Sequence, residues 1–412
     1  MSKQLGHPWS DAVQALENAR DILLASSQQA GTQGDWSFVR KLVDLVERAR
    51  DGSFSGAVSV GTSDEIGTLA RSFNALIADL REKDQMIGFL REGMTLLKKG
   101  ADATAPSRDP SAATTTTLSG KAITAARMEK GSVFGGRYEI LDTVGRGGMG
   151  VVYRARDTQL DEVVALKVLR NELLLEDRTL LDRFKQEIKL ARRITHRNVL
   201  RTHDFGEADG TPYISMEYLE GVTLKELLKR RGALPAGIGL SIAKQMCYGL
   251  EAAHHQGVVH RDIKPQNMLI LPETGELKVM DFGIARVSEV KGESGVGLTS
   301  AGTIMGTPDY MPPEQAMGQP ADFRSDIYSL GVVLFETFTG RLPFRGETIL
   351  DIVQGHIQTA PPRPRTLNPH VRDDIEVVVL RCLEKSPARR YTKIGEILVE
   401  LTAISGRVEA AA

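Results

Sequence analysis

Apolar residues along the first hundred positions recur at helical spacing. In residues 11–25, Val13, Leu16, Ala19, Ile22 and Leu23 predict a helix that Gly31 and its neighbours break. Phe38, Leu42, Leu45 and Ala49 then step by four, three and four, an a/d seam that ends at Gly52. Phe54, Val58 and Val60 mark an extended connector. A second helix is expected near Ser63, whose hydroxyl can cap it, with Asp64 and Glu65 favoured by the dipole of the first turn. Its seam reads Ile66, Leu69, Phe73, Leu76 and Leu80, is interrupted by Lys83, and resumes at Ile87, Leu90, Met94 and Leu97.

Beyond residue 138 the pattern changes to short β-type runs. Tyr138, Ile140 and Leu141 predict a strand, as do Val151, Val152 and Tyr153, then Val163, Val164, Ala165 and Leu166, then Tyr213, Ile214 and Met216. Residues 181–193 carry Phe184, Ile188 and Ala191 as the inner stripe of a helix. Val258 and Val259, on one side of a polar octet, and Met268, Leu269 and Ile270, on the other, predict strand, loop, strand. A further strand is expected at residues 277–280, and closing helices at 377–383 and 394–401.

Residues 100–130 break all periodicity. They are rich in Ala, Thr, Ser and Pro and poor in bulky apolar groups, so they cannot bury enough surface to offset chain entropy and read as a flexible linker. The 412-residue length is enough for two or three domains. A formal net charge of -1 argues against bulk nucleic-acid or polybasic membrane binding. Cys247 and Cys382 both fall in apolar helical stretches and read as reduced and buried, which fits a reducing compartment. With no run of eighteen apolar residues, no membrane span is expected, and the N-terminus lacks a signal-peptide core. The expected location is the cytoplasm.

The candidate chemistry sits in the octet His260, Arg261, Asp262, Ile263, Lys264, Pro265, Gln266 and Asn267. Asp262 could accept a proton, Lys264 could hold a phosphate, and Asn267 could place an oxygen on a metal. By itself the octet also fits a surface turn in which Asp262 and Lys264 are merely paired. Downstream, Asp281, Phe282 and Gly283 follow an apolar run and offer a second carboxylate. Upstream lies Gly145, Arg146, Gly147, Gly148, Met149 and Gly150. This G-x-G-x-x-G pattern would open a helix in a dinucleotide fold, but here it leads into β-type residues and so reads as a hairpin over phosphates.

In this order the motifs resemble a eukaryotic-type protein kinase of the bacterial Ser/Thr group, over roughly residues 138–401. The resemblance implies an α+β, two-lobed protein kinase fold with a β-rich N-lobe and a helical C-lobe. It also implies ATP and Mg²⁺ as cofactors and Ser/Thr hydroxyls of proteins as acceptors. Asp262 would be the catalytic base and Lys264 would meet the γ-phosphate; Asn267 and Asp281 would hold the metal. Lys167 would neutralise the α- and β-phosphates, fixed by Glu187 on the following helix. Val144, Gly145, Arg146, Gly147, Gly148, Met149 and Gly150 would cover the nucleotide. Val152, Ala165 and Leu269 would sandwich adenine, with Met216 as gatekeeper and Glu217 to Leu219 as hinge. Residues 287–306 would form the activation segment, with Thr299, Ser300 and Thr303 as phosphosites and Arg261 and Arg286 as the clamp for the added phosphate. The family's Ala-Pro-Glu stands here as Pro312, Pro313 and Glu314, whose expected partner is Arg390. Asp326 would anchor the catalytic loop from below.

The two heptad helices, with Asp64, Glu65, Ile66 and Gly67 opening the second and Phe73 and Asn74 within it, resemble a HAMP signalling module. That resemblance implies a homodimer paired through a helical coiled coil, the alternative being a hairpin packed on its own chain. The expected map is an N-terminal helix and break at 1–35, a HAMP-like module at 36–99, a linker at 100–132, a kinase domain at 133–405 and a tail at 406–412. The expected activity is that of a Ser/Thr protein kinase activated by trans-autophosphorylation. The alternative is a nucleotide-binding scaffold that signals without catalysis.

Overall fold

The computed structural model describes residues 41–411 except 42, 46, 49–55, 59–64, 104–127, 148–149, 170–184, 187, 209 and 283–307. The expected helix at 11–25 lies outside these. Two compact units divide within the first long helix, at Thr95.

In the smaller unit, helical residues around Leu45 precede an extended connector at Gly56 to Val58, and helix α1 spans Glu65–Ala103. The helix therefore continues three residues past the expected start of the linker. Leu45, Val58, Ala70, Phe73, Ile77 and Leu80 are all buried. The carboxamide of Asn74 clamps the connector: its oxygen accepts from Val58 N–H at 2.8 Å and its nitrogen donates to Val58 O at 2.9 Å. Gly56 has φ +108, and a Cβ there would come within 2.8 Å of Leu45. Glycine is thus required where the connector crosses the first helix. The buried stripe steps 70, 73, 77, 80, so Ile77 takes the place expected of Leu76, which is only half-buried.

In the larger unit, the strands β1 (Val133–Phe134), β2 (Tyr138–Gly147), β3 (Gly150–Asp157), β4 (Glu162–Leu169), β5 (Thr202–Ala208) and β6 (Thr211–Glu217) form one antiparallel sheet of order β1-β2-β3-β4-β6-β5. Period-2 alternation splits its side chains between two cores. Phe134, Tyr138, Ile140, Tyr153, Ala155, Val164, Leu166 and Val168 pack on one face. Ala165, Leu169, Ile214 and Met216 pack on the other, against Ile188 of the helix that precedes β5.

Below the sheet, helix α2 (Leu224–Arg231) starts from a capping box of Thr223 and Glu226. Helix α3 (Ala236–His255) follows, then a small sheet of β7 (Val222–Thr223), β8 (Met268–Ile270) and β9 (Leu277–Val279). Helix α4 (Phe323–Thr339) runs through the centre of this lobe with nearly every residue buried. Helices α5 (Ile349–Gln358), α6 (Asp373–Cys382) and α7 (Ile394–Ala411) close it. Helix α7 runs beyond residue 405, into the stretch read as a tail.

One expected strand is absent. Val258 and Val259 lie in irregular backbone, because Val258 N–H turns back to Ala253 O at 3.0 Å to finish α3. Cys247 and Cys382 are fully buried and free. Among the described residues no helix is long and apolar enough to cross a membrane.

Candidate active site

The octet runs as an extended loop from the end of α3 into the short turn Pro265–Asn267 and β8. Its backbone is held from beneath by Asp326 on α4, which is fully buried. One oxygen of Asp326 accepts from His260 N–H and the other from Arg261 N–H, both at 2.8 Å, and His254 Nε2 lies 2.8 Å from the first. This grip keeps Arg261 at φ +65, a region non-glycine residues seldom occupy. The ring of His260 packs at a tilt against Phe282, with centroids 4.6 Å apart, and His260 Nε2 lies 2.8 Å from Met280 O.

Above this base the side chains converge. Lys264 Nζ lies 2.7 Å from Asp262 Oδ2. Asn267 Nδ2 donates to Asp262 O at 2.8 Å and to Asp262 Oδ2 at 3.1 Å. Its amide nitrogen is therefore committed, and the amide oxygen is the atom left to meet a cation. The pairing of Asp262 with Lys264 is what a surface turn would also show; the buried Asp326 anchor and the Asn267 bonds set the loop apart from one.

Lys167 Nζ, from β4, reaches Asp281 Oδ1 at 2.8 Å, joining residues 114 apart across the two lobes. Asp281 sits at φ +63 directly after β9. Burial pushes its carboxyl up, but the charge and hydrogen bond of Lys167 together with His260 and Lys264 outweigh this and hold it below the usual carboxylate range. Glu187, the other expected partner of Lys167, lies outside the described residues.

The strand register places two of the expected adenine-facing residues, Val152 and Ala165, on one surface, while Leu269 lies on β8 of the other sheet. Val152 stands opposite Lys167, and Ala165 opposite Met216. Met216 is buried, while Val144 is 56% exposed at the edge of the lid. The glycines divide into two kinds. A Cβ at Gly150 would fall 2.1 Å from Val168 O, so the sheet itself demands that glycine. Gly145 and Gly147 would meet nothing within 4 Å. Among the described residues, protein packing does not explain them; glycines here leave room for the close backbone approach expected of a phosphate-covering hairpin. Gly148 and Met149 lie outside the described residues, as do Arg286, Thr299, Ser300 and Thr303.

This donor set fits a magnesium nucleotide. One carboxylate and one amide oxygen are too few for a closed protein cage, but Mg²⁺ binds through one or two protein oxygens plus phosphates. Among the described residues no cluster of three or more His, Cys, Asp or Glu could hold a metal by itself.

Two further arrangements steady the site. Arg390 makes two hydrogen bonds to Glu314, at 2.7 and 2.8 Å, and Ser325 Oγ donates to Glu314 at 2.6 Å, so the expected pair forms. Tyr310 O–H donates to Glu336 at 2.5 Å, and Lys225 Nζ bonds the same carboxylate at 2.8 Å. The second arrangement joins α2, the segment Pro308–Tyr310 and α4. Sequence reasoning missed it because its members are 26 and 111 positions apart.

The chain is similar to known proteins along both of its parts. A family model described as the protein kinase domain matches residues 138–400, and one described as the HAMP domain matches residues 39–82. Serine/threonine-protein kinase pkn3 of Myxococcus xanthus is 42% identical over 274 residues, covering 65% of this chain and 50% of its own. Serine/threonine-protein kinase PrkC of Bacillus subtilis is 41% identical over 261 residues, covering 63% of this chain and 39% of its own. The chain thus spans half or less of these relatives' length. The crystal structure of the Mycobacterium tuberculosis PknI kinase domain aligns with a TM-score of 0.54 at 27% identity, over 68% of this chain and 99% of that one. With its bilobed fold, its convergent site and a family match across most of its length, the chain belongs to the protein kinase family.

Proposed function

We propose that this chain is an ATP- and Mg²⁺-dependent protein kinase that transfers the γ-phosphate of ATP to Ser or Thr hydroxyls of proteins. The observation that carries the reading is the 2.8 Å contact between Lys167 and Asp281, with Asp262, Lys264 and Asn267 on the adjoining loop. Phosphoryl transfer asks a protein mainly for placement and charge neutralisation. Bound Mg²⁺ would screen the phosphates, held by Asp281 and the amide oxygen of Asn267. Lys167 would orient the α- and β-phosphates beneath the β2–β3 hairpin. Asp262 would orient the acceptor hydroxyl and take its proton. Lys264, already beside Asp262, would face the γ-phosphate. The relatives' printed names support Ser/Thr as acceptor.

The same reading makes the enzyme cytoplasmic and homodimeric through its HAMP-like helices, with trans-autophosphorylation of Thr299, Ser300 or Thr303 as the activating event. Two buried free cysteines suit a reducing compartment, and the match to a HAMP domain supports pairing through the helices. Incubation with labelled ATP and Mg²⁺ tests the reading. Asp262→Asn should lower transfer at least about 100-fold, the scale of a lost general base. Equal label on wild type and variant would point to a scaffold carrying a contaminant's activity.

A further inference from the structure

Strand β9 is only three residues long, yet it carries the chain into Asp281. One of its edges pairs with β8. Lys278 stands opposite Leu269, Leu271 N–H donates to Glu276 O at 2.8 Å, and Met280 N–H donates to Asn267 O at 2.9 Å. By strand alternation, the backbone groups of Leu277 and Val279 face the other edge.

There the partner is a clasp made by two separate elements. The loop at residues 196–200, which follows the Ile188 helix, contributes three bonds. Val279 N–H donates to Asn198 O at 2.9 Å, Leu200 N–H donates to Val279 O at 2.9 Å, and Asn198 Nδ2 donates to Leu277 O at 2.8 Å. Helix α3 contributes Gln245, whose Oε1 accepts from Leu277 N–H at 2.8 Å and from Asn198 Nδ2 at 3.0 Å. Asn198 is 2% exposed. A Cβ on Gly249, one turn along α3, would lie 2.6 Å from Asn198 O and 2.9 Å from Val279, so that helix is shaped to admit the loop.

We propose that Asn198 and Gln245 are positioning residues for the phosphoryl-transfer site. Their clasp fixes the depth of β9 so that Asp281 meets Lys167 and the nucleotide-bound cation together. This rests on the function proposed above. The reasoning is mechanical. Asp281 lies two residues past Val279, and its neighbour Met280 is bonded to Asn267, the other candidate metal ligand. Without its side-chain bonds the clasp keeps only the two backbone bonds of Val279 on that edge, and both metal-facing groups gain freedom to shift. The same loop continues the helix that lines the cavity beside Asp281 with Ile188 and Ala191, and Val199 and Leu200 of the loop line it too.

The full-length chain is the test material. Gln245→Met keeps the side-chain volume and removes the acceptor of two N–H groups, whereas Gln245→Glu keeps an acceptor oxygen. Two half-points are read: free Mg²⁺ for phosphotransfer, and free Mg²⁺ for thermal stabilisation by ADP. Both should rise about tenfold in Gln245→Met and in Asn198→Ala, and Gln245→Glu should stay within about twofold of wild type, the scale of groups that support metal ligands. The KM for an acceptor peptide should not move. Unchanged Mg²⁺ half-points beside a lower melting temperature would overturn the proposal and leave the clasp as packing alone. Gln245 is the milder site, being partly exposed, and keeps the test decisive if Asn198→Ala does not fold. Wild-type phosphotransfer tests the kinase reading by itself, and the ADP measurement tests the clasp without needing turnover.

Discussion

Asp281 and Arg261 occupy left-handed backbone, a conformation that costs non-glycine residues about 1–3 kcal/mol each. Each is held there by partners that serve the site: Lys167 bonds the Asp281 carboxylate, and Asp326 accepts from Arg261 N–H. These residues were legible in the sequence because phosphate and metal chemistry restricts residue type at each step of the order. Asn198 and Gln245 were not, since they meet 47 positions apart and neither sits in a periodic pattern. His356 was also silent. It is fully buried with Tyr328 O–H 3.0 Å from Nδ1. Burial, with Lys385 adding to it, pushes its pKa down to about 4. Between that value and the ordinary value near 6.5 the unfolded chain binds the extra proton, so stability rises with pH through this window and is level above it. The contribution is about 3 kcal/mol. Urea unfolding from pH 4 to 7 should show this slope in wild type and a shallower one in His356→Asn, the difference lying between pH 4 and 6.5.

Among the elements, α4 carries the burden of the lower lobe. It supplies Asp326 to the catalytic loop, Ser325 to Glu314 and Glu336 to Tyr310. Burial pushes the Glu314 carboxyl up, but hydrogen bonds from Arg390 and Ser325 bring it below its ordinary value. Its stabilising effect is therefore complete above the ordinary carboxylate range and is lost as pH falls through the depressed value. Arg390→Met leaves a buried carboxylate without its cation and should cost about 3–5 kcal/mol, read as a lower urea midpoint at pH 7. The spacing that predicted the Glu314–Arg390 pair is a family pattern; nothing local demands it. The expected strand at Val258 and Val259 failed for a local reason. Two apolar residues suit any buried backbone, and here they finish a helix end.

At the scale of the whole molecule, the two lobes were legible from strand-rich and helix-rich stretches in order. The smaller unit was legible as two helices and a connector, but not in its register. The buried stripe is Ala70, Phe73, Ile77 and Leu80, beside the Asn74 bonds to the connector, and Leu76 is left half-buried within one chain. A residue so placed is free to meet a second copy. Leu76→Lys should therefore spare the fold of the single chain while shifting sedimentation from dimer to monomer. A wild-type chain that sediments as a monomer at every concentration would remove trans-autophosphorylation through this module.

The most direct test of the site is calorimetric binding of ADP with Mg²⁺ and with EDTA, to wild type and to Asp281→Asn. A lobe-spanning grip on one metal nucleotide predicts that Mg²⁺ tightens wild-type binding at least about tenfold and that Asp281→Asn loses this gain while keeping its metal-free affinity. An Asp281→Asn protein with the full Mg²⁺ enhancement would contradict that grip.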